Sequence, residues 1–205
     1  MYTHIVFDAD GTLLDSENVS LLSLRDVVLE LFGKDIALDD LRFSFGLVSA
    51  EVWKRLGVAS VEQANILWTK YYFKHSGSIT LFEGIREVLD ELAGLPRVLG
   101  LVTSKDESEY ANDIVRLGIS DYFDFTILAE CTEKHKPHPD PMLKFLEYSK
   151  AVPEETLYVG DTEYDFQCAK GAGVDFALAV WGAGQRCKVE ADHYLDHPSD
   201  ILRLV

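Results

Sequence analysis

Five short apolar runs, each cut off by polar or glycine residues, constrain this chain more than any other feature. Residues 5–7 stop at Asp8-Ala9-Asp10-Gly11, and 98–102 stop at Thr103-Ser104. Residues 125–128 stop at Ala129-Glu130, 157–159 at Gly160-Asp161, and 176–180 at Trp181-Gly182. Runs this short and this continuously apolar read as strands buried on both faces, the pattern of a parallel sheet. Between them lie stretches of helical period. Ile85, Val88, Leu89 and Leu92 share one face, as do Ala111, Ile114, Val115 and Gly118, and Met142, Leu143, Leu146 and Ala151. Strands alternating with helices predict an α/β fold with a doubly wound parallel sheet. Ligands of such sheets bind beyond the carboxyl ends of the strands, where all these polar termini would gather.

Residues 16–80 break the alternation. The stretch is far longer than one crossover helix requires. Its content is helical: Leu21, Leu22, Leu24, Val27, Val28 and Leu31, then 52–56, then 66–73, punctuated by Gly33, Gly46, Gly57 and Ser60. The expected organisation is a Rossmann-like core over 1–15 and 81–205, with a small helical subdomain inserted at 16–80. A length of 205 residues suits one domain carrying such an insertion.

Charge narrows the partners. The chain has 19 Lys and Arg against 35 Asp and Glu, a formal net charge of −16. That field opposes a nucleic-acid backbone and an anionic membrane surface. No apolar run approaches the ~20 residues that span a bilayer. The first residues carry no basic leader, and three widely spaced cysteines do not suggest a disulfide framework. These features lead us to expect a cytoplasmic protein, a monomer or weak homodimer.

The strand ends carry the chemistry. Residues i and i+2 share a face, so Asp8 and Asp10 can point at one spot where the first strand frays. Two such carboxylates repel unless a cation lies between them, and an all-oxygen site favours Mg²⁺. One carboxylate can act as nucleophile, the other as general acid and then base. Gly11 permits the sharp turn, with Thr12 behind it. Thr103 and Ser104 offer hydroxyls and N–H groups at a strand-to-helix turn, a seat for phosphate, with Asp106 placed to cap the next helix. Lys136 sits in a stiff loop with Pro137, Pro139 and Pro141 and can hold an ammonium over a phosphate. Asp161 can complete a metal site, with Asp165 one helical turn later. Each feature alone reads as a cap or a turn. Together and in this order they form a specific constellation.

That constellation resembles the haloacid dehalogenase superfamily of phosphohydrolases. Asp8-x-Asp10-Gly11-Thr12 resembles its first motif, Thr103 its second, Lys136-Pro137 its third, and Gly160-Asp161-Thr162-x-x-Asp165 its fourth. Further likeness to the phosphoglycolate phosphatase-like branch, which includes pyrophosphatases, comes from Leu13-Leu14-Asp15-Ser16, Val102-Thr103-Ser104-Lys105, Trp181-Gly182 and Ala191-Asp192-His193-Tyr194. Ser104 departs from that branch, which often has Asn there.

The resemblance implies roles. Asp8 becomes an aspartyl phosphate; Asp10 is the acid/base and also offers its backbone carbonyl to Mg²⁺. Thr103, Ser104 and Lys136 bind the phosphoryl group. Asp161 ligates Mg²⁺, with Asp8 and Asp10 completing the metal site and Asp165 supporting it. The insert becomes a helical cap. The implied activity is Mg²⁺-dependent hydrolysis of a small phosphorylated metabolite. The alternatives are a β-phosphoglucomutase-like phosphomutase and an inorganic pyrophosphatase of the same fold.

Overall fold

The computed structural model of the protein describes residues 1–44, 49–183 and 187–205; Gly46, one of the expected punctuation points, lies outside them. Two compact units emerge: Met1–Asp15 with Thr80–Val205, and Ser16–Ile79. Thr80 belongs with the first unit because it pairs with Asp15 in a two-stranded antiparallel ribbon. Among the described residues, no helix is long and apolar enough to cross a membrane.

The second unit is helical. Its elements are α1 (Glu17–Phe32), α2 (Leu38–Leu41), α3 (Ser49–Arg55) and α4 (Val61–His75). Leu21, Leu24 and Val27 of α1 meet Leu41, Val52, Trp53 and Ala64 in one apolar cluster. The spacing of the α1 residues, three apart, is what a single buried helical face needs. Leu31, near the end of α1, is exposed. Asp26 is also buried on α1. It is held by Lys74 at 2.8 Å, His75 at 2.9 Å and Arg25 at 3.5 Å.

The first unit is built on a six-stranded parallel sheet. Its strands are β1 (His4–Phe7), β4 (Val98–Val102), β5 (Phe125–Ile127), β6 (Thr156–Gly160), β7 (Asp175–Ala179) and β8 (His193–Leu195); β2 (Leu14–Asp15) and β3 (Thr80–Leu81) form the ribbon. The sheet order is β5-β4-β1-β6-β7-β8. The chain winds outward to one side of β1, then returns to build the other. β1 pairs in parallel with β4 and with β6, so the switch point lies at its carboxyl end. The five expected strands are all present. β8 was not evident from the sequence because it alternates: Leu195 is buried while Tyr194 faces solvent, leaving no apolar run.

Helices α5 (Ile85–Ala93), α6 (Glu107–Tyr110), α7 (Asp140–Ser149), α8 (Glu163–Gly171) and α9 (Val180–Ala183) complete the unit. On α5 the expected residues Ile85, Val88, Leu89 and Leu92 are the buried ones. On α7 the buried face is Met142, Phe145 and Leu146, and Leu143 is 47% exposed. The i, i+3, i+4 spacing runs through Phe145, which the apolar reading passed over. The stripe expected at Ala111, Ile114 and Val115 is also rearranged. Residues 111–115 form a π-helical turn, with Arg116 N–H bonded to Ala111 O at 3.3 Å. The wider turn rotates the register, so Asp113 and Ile114 are buried while Val115 is 48% exposed.

Candidate active site

The loop after β1 is wound around one carbonyl. Ala9 O accepts from Thr12 N at 3.3 Å, Leu13 N at 2.9 Å and Leu14 N at 2.9 Å. Asp8 N–H still bonds Val159 O at 2.9 Å, extending the β1–β6 ladder by one step. Asp8 is therefore fixed at the switch point, and Asp10 lies on the turn. Gly11 has φ +77°, and a Cβ there would lie 2.2 Å from Asp161 Oδ2. Only glycine lets this turn pass so close to the β6 terminus. A Cβ on Gly182 of α9 would in turn lie 1.6 Å from Gly11 O, and Trp181 Nε1 donates to Thr12 O at 3.0 Å. The end of β7 thus braces the first loop from behind.

Lys136 reaches into this point from the proline-rich loop. Its Nζ lies 2.6 Å from Asp8 Oδ1 and 2.7 Å from Asp165 Oδ1. Tyr158 Oη lies 3.1 Å from the same ammonium and 2.9 Å from Val102 O. Asp165 does two jobs. Its Oδ2 accepts from Thr162 N–H at 3.0 Å in a capping box at the start of α8, while its Oδ1 faces Lys136. The cap is thus present, and the same carboxylate also contacts Lys136. Asp106 likewise caps α6, accepting from Glu109 N–H at 2.8 Å.

A carboxylate oxygen of each of Asp8, Asp161 and Asp165 lies within 4.8 Å of the others. Burial pushes the Asp8 carboxyl up to about 7 despite Lys136, with Asp165 and Asp10 adding repulsion. Burial, with the charges of Asp165 and Asp8, lifts the Asp161 carboxyl well above the usual range. Burial acts on Asp165 in the same sense, but the Lys136 ammonium and its hydrogen bonds hold that carboxyl below its ordinary value. Burial works against the Lys136 charge, yet Asp165 and Asp8 overcome it and raise its pKa. One ammonium thus faces three acids. The remaining negative charge and the hard oxygen donors fit a divalent cation.

The structure brings Asp8, Lys136, Asp161 and Asp165 together. Thr12 Oγ1 touches Asp161 Oδ1 at 3.4 Å, and Gly11 abuts the same carboxylate. The Asp10 carboxylate is not part of that cluster. It turns to Lys105, whose Nζ lies 3.0 Å from Asp10 Oδ2. Thr103 is buried at the end of β4, bonded through its N–H to Ile127 O at 3.1 Å, and Ser104 is exposed beside it.

Three further residues touch the candidate site residues, directly or through one side chain, without a signal in the sequence: Tyr158 meets Lys136, Lys105 meets Asp10, and Asp113 lies 2.7 Å from Lys105 Nζ. Tyr158 reads as one more apolar strand residue. The register that pairs it with Val6 sets its side chain on the face that Asp8 continues. Lys105 follows the phosphate-seat pair directly. Asp113 was hidden inside an apparent apolar stripe.

Comparison with known proteins places the site in a family. The haloacid dehalogenase-like hydrolase family matches residues 5–179. A phosphoglycolate phosphatase of Aquifex aeolicus is 32% identical, covering 98% of this chain and 95% of that protein. Pyrophosphatase PpaX of Bacillus mycoides is 26% identical, with the same two coverages of 98% and 95%. A crystal structure from Lactobacillus plantarum, provisionally described as a phosphoglycolate phosphatase, superposes with a TM-score of 0.91 at 30% identity over 100% of both chains. A match over most of the chain, carried by motifs that meet at one switch point, shows that this protein belongs to the haloacid dehalogenase-like hydrolases, among relatives named as phosphatases.

Proposed function

We propose that the protein is a Mg²⁺-dependent phosphatase that hydrolyses a small phosphorylated metabolite through an aspartyl phosphate on Asp8. One observation carries this reading: the Asp8 carboxylate stands at the end of the central strand, 2.6 Å from a buried ammonium and within 4.8 Å of two further carboxylates. Phosphoryl transfer depends chiefly on positioning and charge neutralisation, which is what such a cluster supplies. Asp8, Asp161 and the Asp10 backbone carbonyl would hold Mg²⁺, with Asp165 behind them. When bound, the ion would neutralise the phosphoryl oxygens and the nucleophile's charge.

The chain's own residues do the rest. Asp8 attacks phosphorus in line, and the bond to the leaving oxygen breaks. Asp10 gives that oxygen its proton. Lys136 and the Thr103–Ser104 turn hold the equatorial oxygens through the transfer. Asp10, now ionised, takes a proton from water, whose oxygen attacks phosphorus. The acyl–phosphate bond breaks, phosphate leaves, and Asp8 is restored as a carboxylate.

The test is phosphate release across 2-phosphoglycolate, pyrophosphate, sugar phosphates and nucleotides, with and without Mg²⁺. Metal-dependent release concentrated on one monoester is expected. Release from pyrophosphate alone would move the assignment to the pyrophosphatase reading, which the Bacillus relative's name favours. A folded protein silent on every compound would overturn hydrolysis and leave the phosphomutase reading.

A further inference from the structure

We propose that Lys105 is a positioning residue that sets the Asp10 carboxylate for proton transfer to the leaving group, with Asp113 as its anchor. The inference rests on the reading of Asp10 as the acid. Lys105 directly follows Thr103-Ser104 at the end of β4 and is 3% exposed. Its backbone is fixed on both sides: Lys105 N–H bonds Thr103 Oγ1 at 3.2 Å, and Lys105 O accepts from Ala129 N–H at 3.0 Å. Its Nζ lies 2.7 Å from Asp113 Oδ2 and 3.0 Å from Asp10 Oδ2.

The two acids differ. Asp113 is fully buried on the π-helical turn, and its other oxygen accepts from Asn112 Nδ2 at 2.7 Å. The Asp10 side chain is 44% exposed. An ammonium removed from water needs one well-placed carboxylate to be tolerated, and Asp113 meets that need. The contact with Asp10 then acts in the other direction. It tethers a half-exposed side chain that would otherwise sample several rotamers. General acids must be held near the atom they protonate, and small displacements there cost rate steeply. Asp113 lies on the π turn at 111–115, and single π turns often mark functional sites.

A positioning role for the acid has a signature that a structural role lacks. Protonation matters for an alkoxide leaving group and hardly at all for p-nitrophenolate. The experiment is kcat/KM on the preferred alkyl phosphate and on p-nitrophenyl phosphate, for wild type, Lys105→Met, Asp113→Asn and Asp10→Asn, with thermal melting of each. Lys105→Met is expected to lose roughly 10–100-fold on the alkyl ester and under about 3-fold on the aryl ester. Asp113→Asn should show the same selectivity with a smaller loss, roughly 3–10-fold. Equal losses on both esters in a folded variant would overturn the proposal, as would no loss. Loss of the fold in both variants would assign the pair to stability alone and overturn it too. Asp10→Asn separates the premise from the inference: a flat response there removes Asp10 as the acid. A selective response in Asp10→Asn without one in Lys105→Met removes only the tether.

Discussion

The two units each bury a charged side chain among partners of opposite sign, and they do so with opposite ratios. In the helical unit one carboxylate, Asp26, is met by Lys74, His75 and Arg25. Burial alone would raise its pKa, but the bonds from Lys74 and His75 win and lower it. In the sheet unit one ammonium, Lys136, is met by Asp8 and Asp165 with Asp161 close by, and Asp8 and Asp161 are pushed upward. The first cluster is satisfied by its own residues and joins α1 to α4. The second is left short of positive charge, the state in which a cation and a phosphoryl group can be drawn in. Whole-unit charge follows the same division: residues 16–80 carry seven basic and eight acidic groups, so nearly all the net −16 lies in the sheet unit. What separates the two is the excess of buried acid around a single ammonium, not the burial of a charge as such.

The most severe way to break that contrast is at Asp8, the proposed nucleophile. Asp8→Asn keeps the shape and removes the attacking charge. Turnover should fall by at least about 10³-fold, while melting stays near wild type because Lys136 retains Asp165. Appreciable phosphate release from a folded Asp8→Asn would remove Asp8 from its role.

Next in size is the lysine itself. Lys136→Met leaves two buried carboxylates without their counter-charge. The expected loss is about 3–5 kcal/mol in chemical denaturation at neutral pH, with activity abolished. The matching change in the helical unit, Lys74→Met, should cost under about 1 kcal/mol, because that ammonium is exposed and Asp26 keeps His75 and Arg25. Similar losses from the two variants would erase the distinction between the clusters.

Metal affinity sharpens the same comparison. With its carboxyl near 7, Asp8 carries a proton through mildly acidic solution, and a metal must displace it. Apparent Mg²⁺ affinity should therefore strengthen by up to about tenfold per pH unit between roughly 5.5 and 7, then level off. Isothermal titration would show this as proton release on binding. Affinity constant across that range would mean the site carboxylates are already ionised and the imbalance is not real.

How much of this could be read in the sequence follows from what each residue signals. Asp8 and Asp161 were legible because each follows an apolar strand, Lys136 because it sits in a stiff proline-rich loop, and Asp165 because it lies one helical turn after Asp161; the topology forces the strand ends together. Strands written as continuous apolar runs announce themselves; β8 and the two-residue ribbon do not, since neither forms such a run. Tyr158 escaped because its ring belongs in the core while its hydroxyl does not. Asp113 escaped because its position depends on an extra residue in one helical turn, and no period of 3.6 anticipates that. The Asp10–Lys105 contact needs two loops to meet, and spacing along the chain carries no trace of it.

The smallest test asks whether the sheet unit's excess of acid extends past the site. Burial pushes the Glu109 carboxyl up to about 7, although Asp106 N–H donates to it at 3.0 Å. Its folded pKa therefore lies above its unfolded value, near 4.5. The folded state then binds more protons between those values, so this group's contribution favours folding below about pH 4.5 and is lost as pH rises through 7. Glu109→Gln keeps an acceptor for the Asp106 N–H and removes the charge. At pH 8 it should be more stable than wild type by about 1–2 kcal/mol, less than the full ~1.4 kcal/mol per pKa unit because the carboxylate is partly solvated. Near pH 4.5 the two proteins should melt together. A gap that is absent at pH 8, or that widens on acidification, would show that Glu109 is balanced by its neighbours and that the shortage of positive charge ends at the Asp8–Asp161–Asp165 cluster.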